Sequence, residues 1–155
     1  EWVKHFKAMV EPVFAITAKV LPGMRARKWG RILTVASSGV EQPIPNLALS
    51  NALRSSIVGW SKTLSAEVAK DGVTVNMILP GRIATDRIRE LDEANAQRSG
   101  KSREEVQAAS IATIPAGRLG TAAEFGATAA FLCSEQAAYN TGSKIRVDGG
   151  ATRSV

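Results

Sequence analysis

The sequence predicts an α/β domain, a parallel sheet with flanking helices. Three short β-prone runs, at residues 31–36, 73–79 and 144–147, are separated by long stretches of helical spacing. Such spacing implies crossover connections and parallel strands. The first two runs are apolar on both sides, the pattern of strands buried on both faces. The 155 residues, 45% of them apolar, make one domain at most, with material for a sizeable core.

Phe6, Met9, Val10, Val13, Thr17, Val20 and Met24 recur at helical spacing and predict a helix over residues 2–28, stopped by Gly30. Pro12 removes a backbone donor inside it, which predicts a kink or a late start, and Pro22 is a second break point. The first strand follows, ended by Ser37-Ser38-Gly39, and Pro43 and Pro45 mark a loop. Leu49, Leu53, Ile57, Trp60, Leu64 and Val68 then step by three or four, giving an amphipathic helix over residues 47–70. Asp71-Gly72 turns the chain into the second strand, which Pro80-Gly81 stops.

Residues 84–113 are polar and helical in pattern, in two pieces divided at Gly100. Ser102 with Glu105 reads as a capping box opening the second piece, and Thr121 with Glu124 as another, opening a small-residue helix to Leu132 or Cys133. Asn140-Thr-Gly142 turns into the third strand, which Asp148-Gly149-Gly150 ends. No internal repeat is present.

Composition excludes several classes. Lys and Arg number 20 against 14 Asp and Glu, a net +6, but the cations are spread along the chain. The densest run, Arg25-Ala-Arg27-Lys28, falls at a helix end, where cations suit the dipole. Without an aromatic-interleaved basic stripe, no nucleic-acid partner is expected. One cysteine, Cys133, and one histidine, His5, exclude a disulfide scaffold and a structural zinc site, and no metal is expected. No apolar run reaches membrane-spanning length, so no membrane partner is expected. The chain opens at Glu1 with no signal-peptide pattern and reads as a fragment or a processed product.

In an open α/β sheet, ligands bind beyond the carboxyl ends of the strands. That places Ser37 after the first strand and Pro80-Gly81 after the second at the candidate site. Ser50 and Arg54, four residues apart, share one face of the next helix. A hydroxyl at a strand end and this Ser/Arg pair can converge on one pocket. Alone, each has a plain structural alternative as a cap, a turn or a solvated cation.

Five segments carry a resemblance: Leu21-Pro-Gly-Met24 with Trp29-Gly-Arg-Ile32; Val35-Ala-Ser-Ser38; Val75-Asn76 with Pro80-Gly-Arg-Ile-Ala-Thr85; Pro115-Ala-Gly-Arg-Leu-Gly120; and Phe131-Leu132 with Thr141-Gly142 and Val147-Asp-Gly-Gly150. In order and spacing the chain resembles the carboxyl-terminal part of a short-chain dehydrogenase/reductase of the 3-oxoacyl-[acyl-carrier protein] reductase type. The resemblance implies that residues 1–155 are part of a doubly wound Rossmann-type domain, with a substrate-covering lid at about 84–114. It implies a cytoplasmic NAD- or NADP-dependent oxidoreductase acting on a small carbonyl or alcohol. It also implies a homodimer or homotetramer, with the two long helices forming one interface and the last helix and strand another.

The family's site resembles a tetrad of Asn, Ser, Tyr and Lys, in which Tyr exchanges the proton, Lys lowers its pKa and holds the nicotinamide ribose, and Ser orients the substrate oxygen. Ser37 matches the serine; Ser50 stands at the tyrosine position, Arg54 at the lysine position and Met9 at the asparagine position. Ser37, Ser50 and Arg54 are therefore the expected catalytic residues. Arg54, Pro80, Gly81, Ile83 and Thr85 are the expected cofactor-binding residues. An aliphatic hydroxyl is a far weaker acid than a phenol, and Arg54 stays protonated and cannot pass a proton on. The Ser/Arg pair looks like that of a divergent branch of the family. Two readings follow: an oxidoreductase with altered proton delivery, or a homologue that kept the fold as a binding protein. The lid charges Asp86, Arg87, Arg89, Glu90, Arg98, Lys101 and Arg103 read as a solvated helix surface. The family's first βαβ unit, with its glycine-rich pyrophosphate loop, has no counterpart here, so this stretch is expected to hold only the nicotinamide end. The first strand then has an open apolar edge, which predicts poor solubility of the isolated segment.

Overall fold

The computed structural model describes residues 1–154. Its elements are α1 (Trp2–Met9), α2 (Glu11–Ala26), β1 (Gly30–Val35), α3 (Ala48–Val68), β2 (Val73–Pro80), α4 (Asp86–Ser99), α5 (Arg103–Ile111), α6 (Ala122–Leu132) and β3 (Lys144–Val147). The strands form one parallel sheet in the order β1-β2-β3, with Gly30 opposite Val73 and Met77 opposite Lys144. The α/β architecture and all three strands match the expectation.

The first helix is two helices rather than one. The chain breaks at Val10, and Pro12 sits in the first turn of α2, where a missing N–H leaves no vacancy in the ladder. Pro22 is accommodated inside α2. The Arg25–Lys28 run has a specific partner beyond the helix dipole. Arg25 Nε and Lys28 Nζ lie 2.7 and 2.6 Å from the carboxylate of Asp71, which is buried just before β2. Lys28 adopts a left-handed φ of 54° to make the turn into β1.

Strand alternation sorts the core into two faces. Val73, Val75, Met77 and Leu79 of β2 face α1–α3, packing with Val10, Leu53, Ile57 and Val68. Thr74, Asn76 and Ile78 are buried on the other face, where α6 lies against β1 and β2. Asn76 is satisfied there: its Nδ2 donates to the Asn140 carbonyl (2.7 Å) and its Oδ1 accepts from Ser143 N–H (3.1 Å). The Thr141 hydroxyl accepts from Val75 N–H at 3.0 Å, so the loop before β3 is fastened to the central strand.

Strand β1 departs from the expectation of burial on both faces. It is only half covered, and Val35 is 53% exposed. The reason is topological: among the described residues β1 pairs with β2 alone, so its second edge is free. Both capping boxes form as the spacing predicts, at Ser102/Glu105 and Thr121/Glu124. Gly100 ends α4 in the left-handed conformation with φ 68°, which separates α4 from α5. No helix among the described residues is long and apolar enough to cross a membrane.

Candidate active site

Beyond the carboxyl ends of β1 and β2 lies a cavity of about 320 Å³. Its walls are Val35 from β1, Pro80, Gly81, Ile83 and Thr85 from the segment after β2, Arg87 and Ile88 from the first turn of α4, and Ala122 and Phe125 from α6. Four of the five expected cofactor residues, Pro80, Gly81, Ile83 and Thr85, thus line one space. Arg54, the fifth, does not line it.

The segment is rigidly placed. Ile83 forms a parallel bridge with Gly120, with Ala84 N–H bonded to the Gly120 carbonyl (2.8 Å) and Gly120 N–H to the Arg82 carbonyl (3.0 Å). Gly81 is required by the close approach of β3: an added Cβ would lie 2.6 Å from Asp148 Cα. Asp148 in turn accepts from the N–H groups of Gly150 (2.9 Å) and Thr152 (3.0 Å). Burial alone would raise its pKa, but these hydrogen bonds and the nearby Arg146 charge hold it below the ordinary range. Thr85 is the N-cap residue of α4, yet its hydroxyl makes no capping bond.

Sequence reasoning missed the residue that ties this segment to α4. The Arg82 guanidinium pairs with Asp92 of α4, whose side chain is 2% exposed. Arg82 Nε is buried with no partner. The surrounding charges of α4 do lie on the surface, as expected: Arg87 pairs with Glu90 and Arg89 with Asp86, all exposed. Nothing in the local pattern separates Asp92 from them, except that Asp92, Leu91 and Ile88 fall close together around the helix.

Ser37, Ser50 and Arg54 do not line this cavity; Ser37 and the Arg54 guanidinium lie at the end of β1. The ladder continues one step past β1, with Ala36 N–H bonded to the Ile78 carbonyl at 3.0 Å, and Ser37 stays extended (φ −160°, ψ 149°). Alternation therefore carries Ser37 to the side of Val35, which lines the cavity. Its Oγ accepts from Gly39 N–H at 3.1 Å and so caps the short 3₁₀ turn Ser38–Val40. That turn packs closely on α3: a Cβ at Gly39 would lie 2.6 Å from Asn51 Oδ1.

Ser50 and Arg54 lie one turn apart on α3. The Arg54 Nη1 makes a long 3.5 Å contact with the Ala36 carbonyl, which brings the guanidinium to the end of β1. Burial pushes its pKa below the usual arginine value. It remains a cation with unused donors. Among the described residues, no hydrogen bond directly joins the side chains of Ser37, Ser50 and Arg54. Met9 packs against the core cluster that contains Leu53 and Ile57. No group of three His, Cys, Asp or Glu side chains among the described residues gathers as a metal site.

Residues 1–152 match the family model described as enoyl-(acyl carrier protein) reductase. The 3-oxoacyl-[acyl-carrier-protein] reductase FabG of Escherichia coli (strain K12) is 38% identical over 152 residues, covering 97% of this chain and 57% of that protein. Nodulation protein G of Azospirillum brasilense is 34% identical over 151 residues, 97% of this chain and 56% of that protein. Among solved structures, YwfH, an NADPH-dependent reductase involved in bacilysin biosynthesis, matches with a TM-score of 0.94 at 28% identity, over 100% of this chain and 59% of that one. L-sorbose reductase from Gluconobacter frateurii, solved with NADPH and L-sorbose, matches with a TM-score of 0.91 at 30% identity, over 99% of this chain and 59% of that one. The chain belongs to the short-chain dehydrogenase/reductase family, and its sheet and helices are part of that family's Rossmann-type fold. It spans a little over half the length of the curated relatives it matches, 57% of the E. coli protein.

Proposed function

We propose that this member of the short-chain dehydrogenase/reductase family supplies the nicotinamide- and substrate-facing part of an NAD- or NADP-dependent oxidoreductase that interconverts a small carbonyl and its alcohol. The observation that carries the reading is the cavity of about 320 Å³ at the strand ends, walled by Pro80, Gly81, Ile83 and Thr85. Its walls suit one end of a nicotinamide cofactor. They are largely apolar, they include a glycine without a Cβ, and they present a Thr85 hydroxyl left free by the helix cap. Reductases of similar structure were solved with NADPH.

When bound, the cofactor supplies or accepts a hydride. The chain's own residues do the rest. Gly81, whose missing Cβ makes room for Asp148, holds the segment's backbone in the cavity wall, and Thr85 would hydrogen-bond the amide substituent of a bound nicotinamide. Ser37 would orient the substrate oxygen by donating its Oγ–H to it while Oγ still accepts from Gly39 N–H. Arg54 would offer a fixed positive charge and several donors to the nicotinamide ribose. Ser50, at the position of the family's tyrosine, would relay a proton in the reducing direction: its Oγ–H passes to the substrate oxygen as Oγ takes a proton from a water, which leaves hydroxide to the solvent. A well-tuned general acid contributes roughly 10²–10⁴ in rate, so this site turns over more slowly than a tyrosine site.

Homo-oligomerisation belongs to the same proposal. Trp2, Val3, Phe6, Ile16 and Val20 leave an exposed apolar surface on α1 and α2, suited to a second copy. So does the cytoplasmic location.

The test uses the complete gene product. Consumption of NADH and NADPH is followed over a panel of small ketones and aldehydes, for the wild type, Ser37→Ala and the pair Ser50→Tyr with Arg54→Lys. Turnover that collapses in Ser37→Ala supports the reading. The weak acid at Ser50 favours one rival, a nucleotide-binding protein without catalysis. Cofactor binding with turnover only in the Tyr/Lys pair selects that rival.

A further inference from the structure

Glu41 lies in the loop that leads from Ser37 to α3, and it is the C-cap of the 3₁₀ turn that Ser37 opens. Its carboxylate is split between two cations of a distant strand. One oxygen lies 2.9 Å from Lys144 Nζ and the other pairs with Arg146 Nε. Lys144 and Arg146 are two residues apart on β3 and project from the same face, opposite Met77 and Leu79 in register. Strand β2 lies between β1 and β3, so Glu41 bridges the sheet from one edge strand to the other. The Glu41 side chain is only 9% exposed, while its partners keep about a third of their surface in solvent. A carboxylate this covered, with each oxygen taking a charge-assisted bond, has one favourable position. Burial alone would raise its pKa; the bonds and charges of Lys144 and Arg146 outweigh that and hold it below the carboxylate range.

The same strand gathers the carboxyl-terminal tail. Arg146 Nη1 donates to the Ser154 carbonyl at 2.7 Å, and Arg153 N–H donates to Gln42 Oε1 at 3.0 Å. Loop, strand and tail therefore form one polar network. Elsewhere the loop is held by short-range bonds: Asn51 Nδ2 to the Ile44 carbonyl (2.9 Å), and the Glu41 and Gln42 amides to the Ser38 carbonyl (3.0 and 2.9 Å). These set the loop's internal shape. The anchor to β3 sets where that shape sits relative to the sheet.

We propose that Glu41 is a positioning residue: by clamping the loop to Lys144 and Arg146, it fixes the turn that carries Ser37 against α3, which carries Ser50 and Arg54. The role rests on the functional reading above, since it matters to catalysis only if Ser37 does.

The test has one readout independent of turnover. Amide hydrogen exchange is measured on the complete gene product for the wild type, Glu41→Gln, and a reversed network of Glu41→Arg with Lys144→Glu and Arg146→Glu. In Glu41→Gln, the Val40, Glu41 and Gln42 amides should exchange about tenfold faster while those of β2 keep their protection, and the reversed network should restore them. In the catalytic assay, kcat should fall by on the order of ten- to a hundredfold with little change in cofactor KM, and recover with the reversed network. Unchanged loop exchange in Glu41→Gln, or faster exchange in β2 and the loop alike, overturns the clamp. A loop that loosens while kcat holds overturns the positioning role. A wild type that never turns over refutes the functional reading instead, and the exchange data alone then judge the clamp.

Discussion

Replacing Asp92 by Ala tests the junction between α4 and the cavity wall. The substitution removes a carboxylate that is 2% exposed and orphans the Arg82 guanidinium, which is 25% exposed and already has a buried Nε without a partner. Removing one member of a buried ion pair costs about 3–5 kcal/mol, mostly because the remaining charge is left uncompensated. Water can reach the orphan through the exposed quarter of Arg82, which puts the loss near the lower bound, about 3 kcal/mol. For a domain of 150–250 residues that corresponds to roughly 6–12 °C in Tm. The assay is thermal and urea unfolding of Asp92→Ala, Arg82→Met, and the double variant Asp92→Leu with Arg82→Met. The double variant leaves no orphan and should recover most of the loss. A loss below about 1 kcal/mol in Asp92→Ala, or a double variant as unstable as the two single losses added together, refutes the claim that the pair fixes α4 to the segment after β2.

Other perturbations address single elements. The Arg118 guanidinium, followed by the Thr121 N–H and hydroxyl, holds the Glu124 carboxyl down from 4.5 to about 2. Its stabilisation is therefore complete above pH 4.5 and is lost as the pH falls toward 2, and Glu124→Gln should flatten that part of the stability–pH curve in chemical denaturation. A Cβ at Gly81 would press on the Asp148 backbone at 2.6 Å. Gly81→Ala should therefore cost about 1–3 kcal/mol and weaken cofactor binding in a titration, whereas unaltered affinity and stability would show that β3 yields freely. Ile57, 1% exposed between α3 and the sheet, should lose about 2–5 kcal/mol on truncation to Ala, read from urea midpoints.

Much of the fold was legible because its signals are local. The two capping boxes are decided by residues three apart, and both form. Strand β2 reads as a continuous apolar run because both of its faces are covered, and it is buried from Val73 to Leu79. The break before α2 was legible as a proline but not as a position, because Pro12 is compatible with either a kink or a new first turn. The burial of β1 was overestimated for a different reason. Its composition suits a central strand, whereas among the described residues it pairs along one edge only. Of the candidate site, Pro80-Gly81 followed from its place after a strand while Ile83 and Thr85 came only from the family resemblance, and the structure gathers these four around one cavity.

What escaped the sequence is the set of charged residues that hold the parts together. Asp71, Asp92 and Glu41 are ordinary acidic residues in polar stretches, and each has a side chain no more than 9% exposed, against one or two cations. Periodicity cannot mark them, because a solvated helix face and a helix with one inward carboxylate differ at a single position. Separation hides their partners as well: Glu41 and Arg146 stand 105 residues apart. Their placement gives them a shared consequence. Each ion pair fastens a segment adjoining a strand end to another element: the turn into β2 to α2, the post-β2 segment to α4, and the post-β1 loop to β3. An apolar core tolerates small slides between elements, because burial changes little with register. A nearly buried carboxylate facing a fixed cation does not, since moving it leaves a charge unpaired. The core thus accounts for the stacking of the layers, Asp92 and Glu41 for the placement of the segments beyond the carboxyl ends of the strands, and Asp71 for the turns at their amino ends.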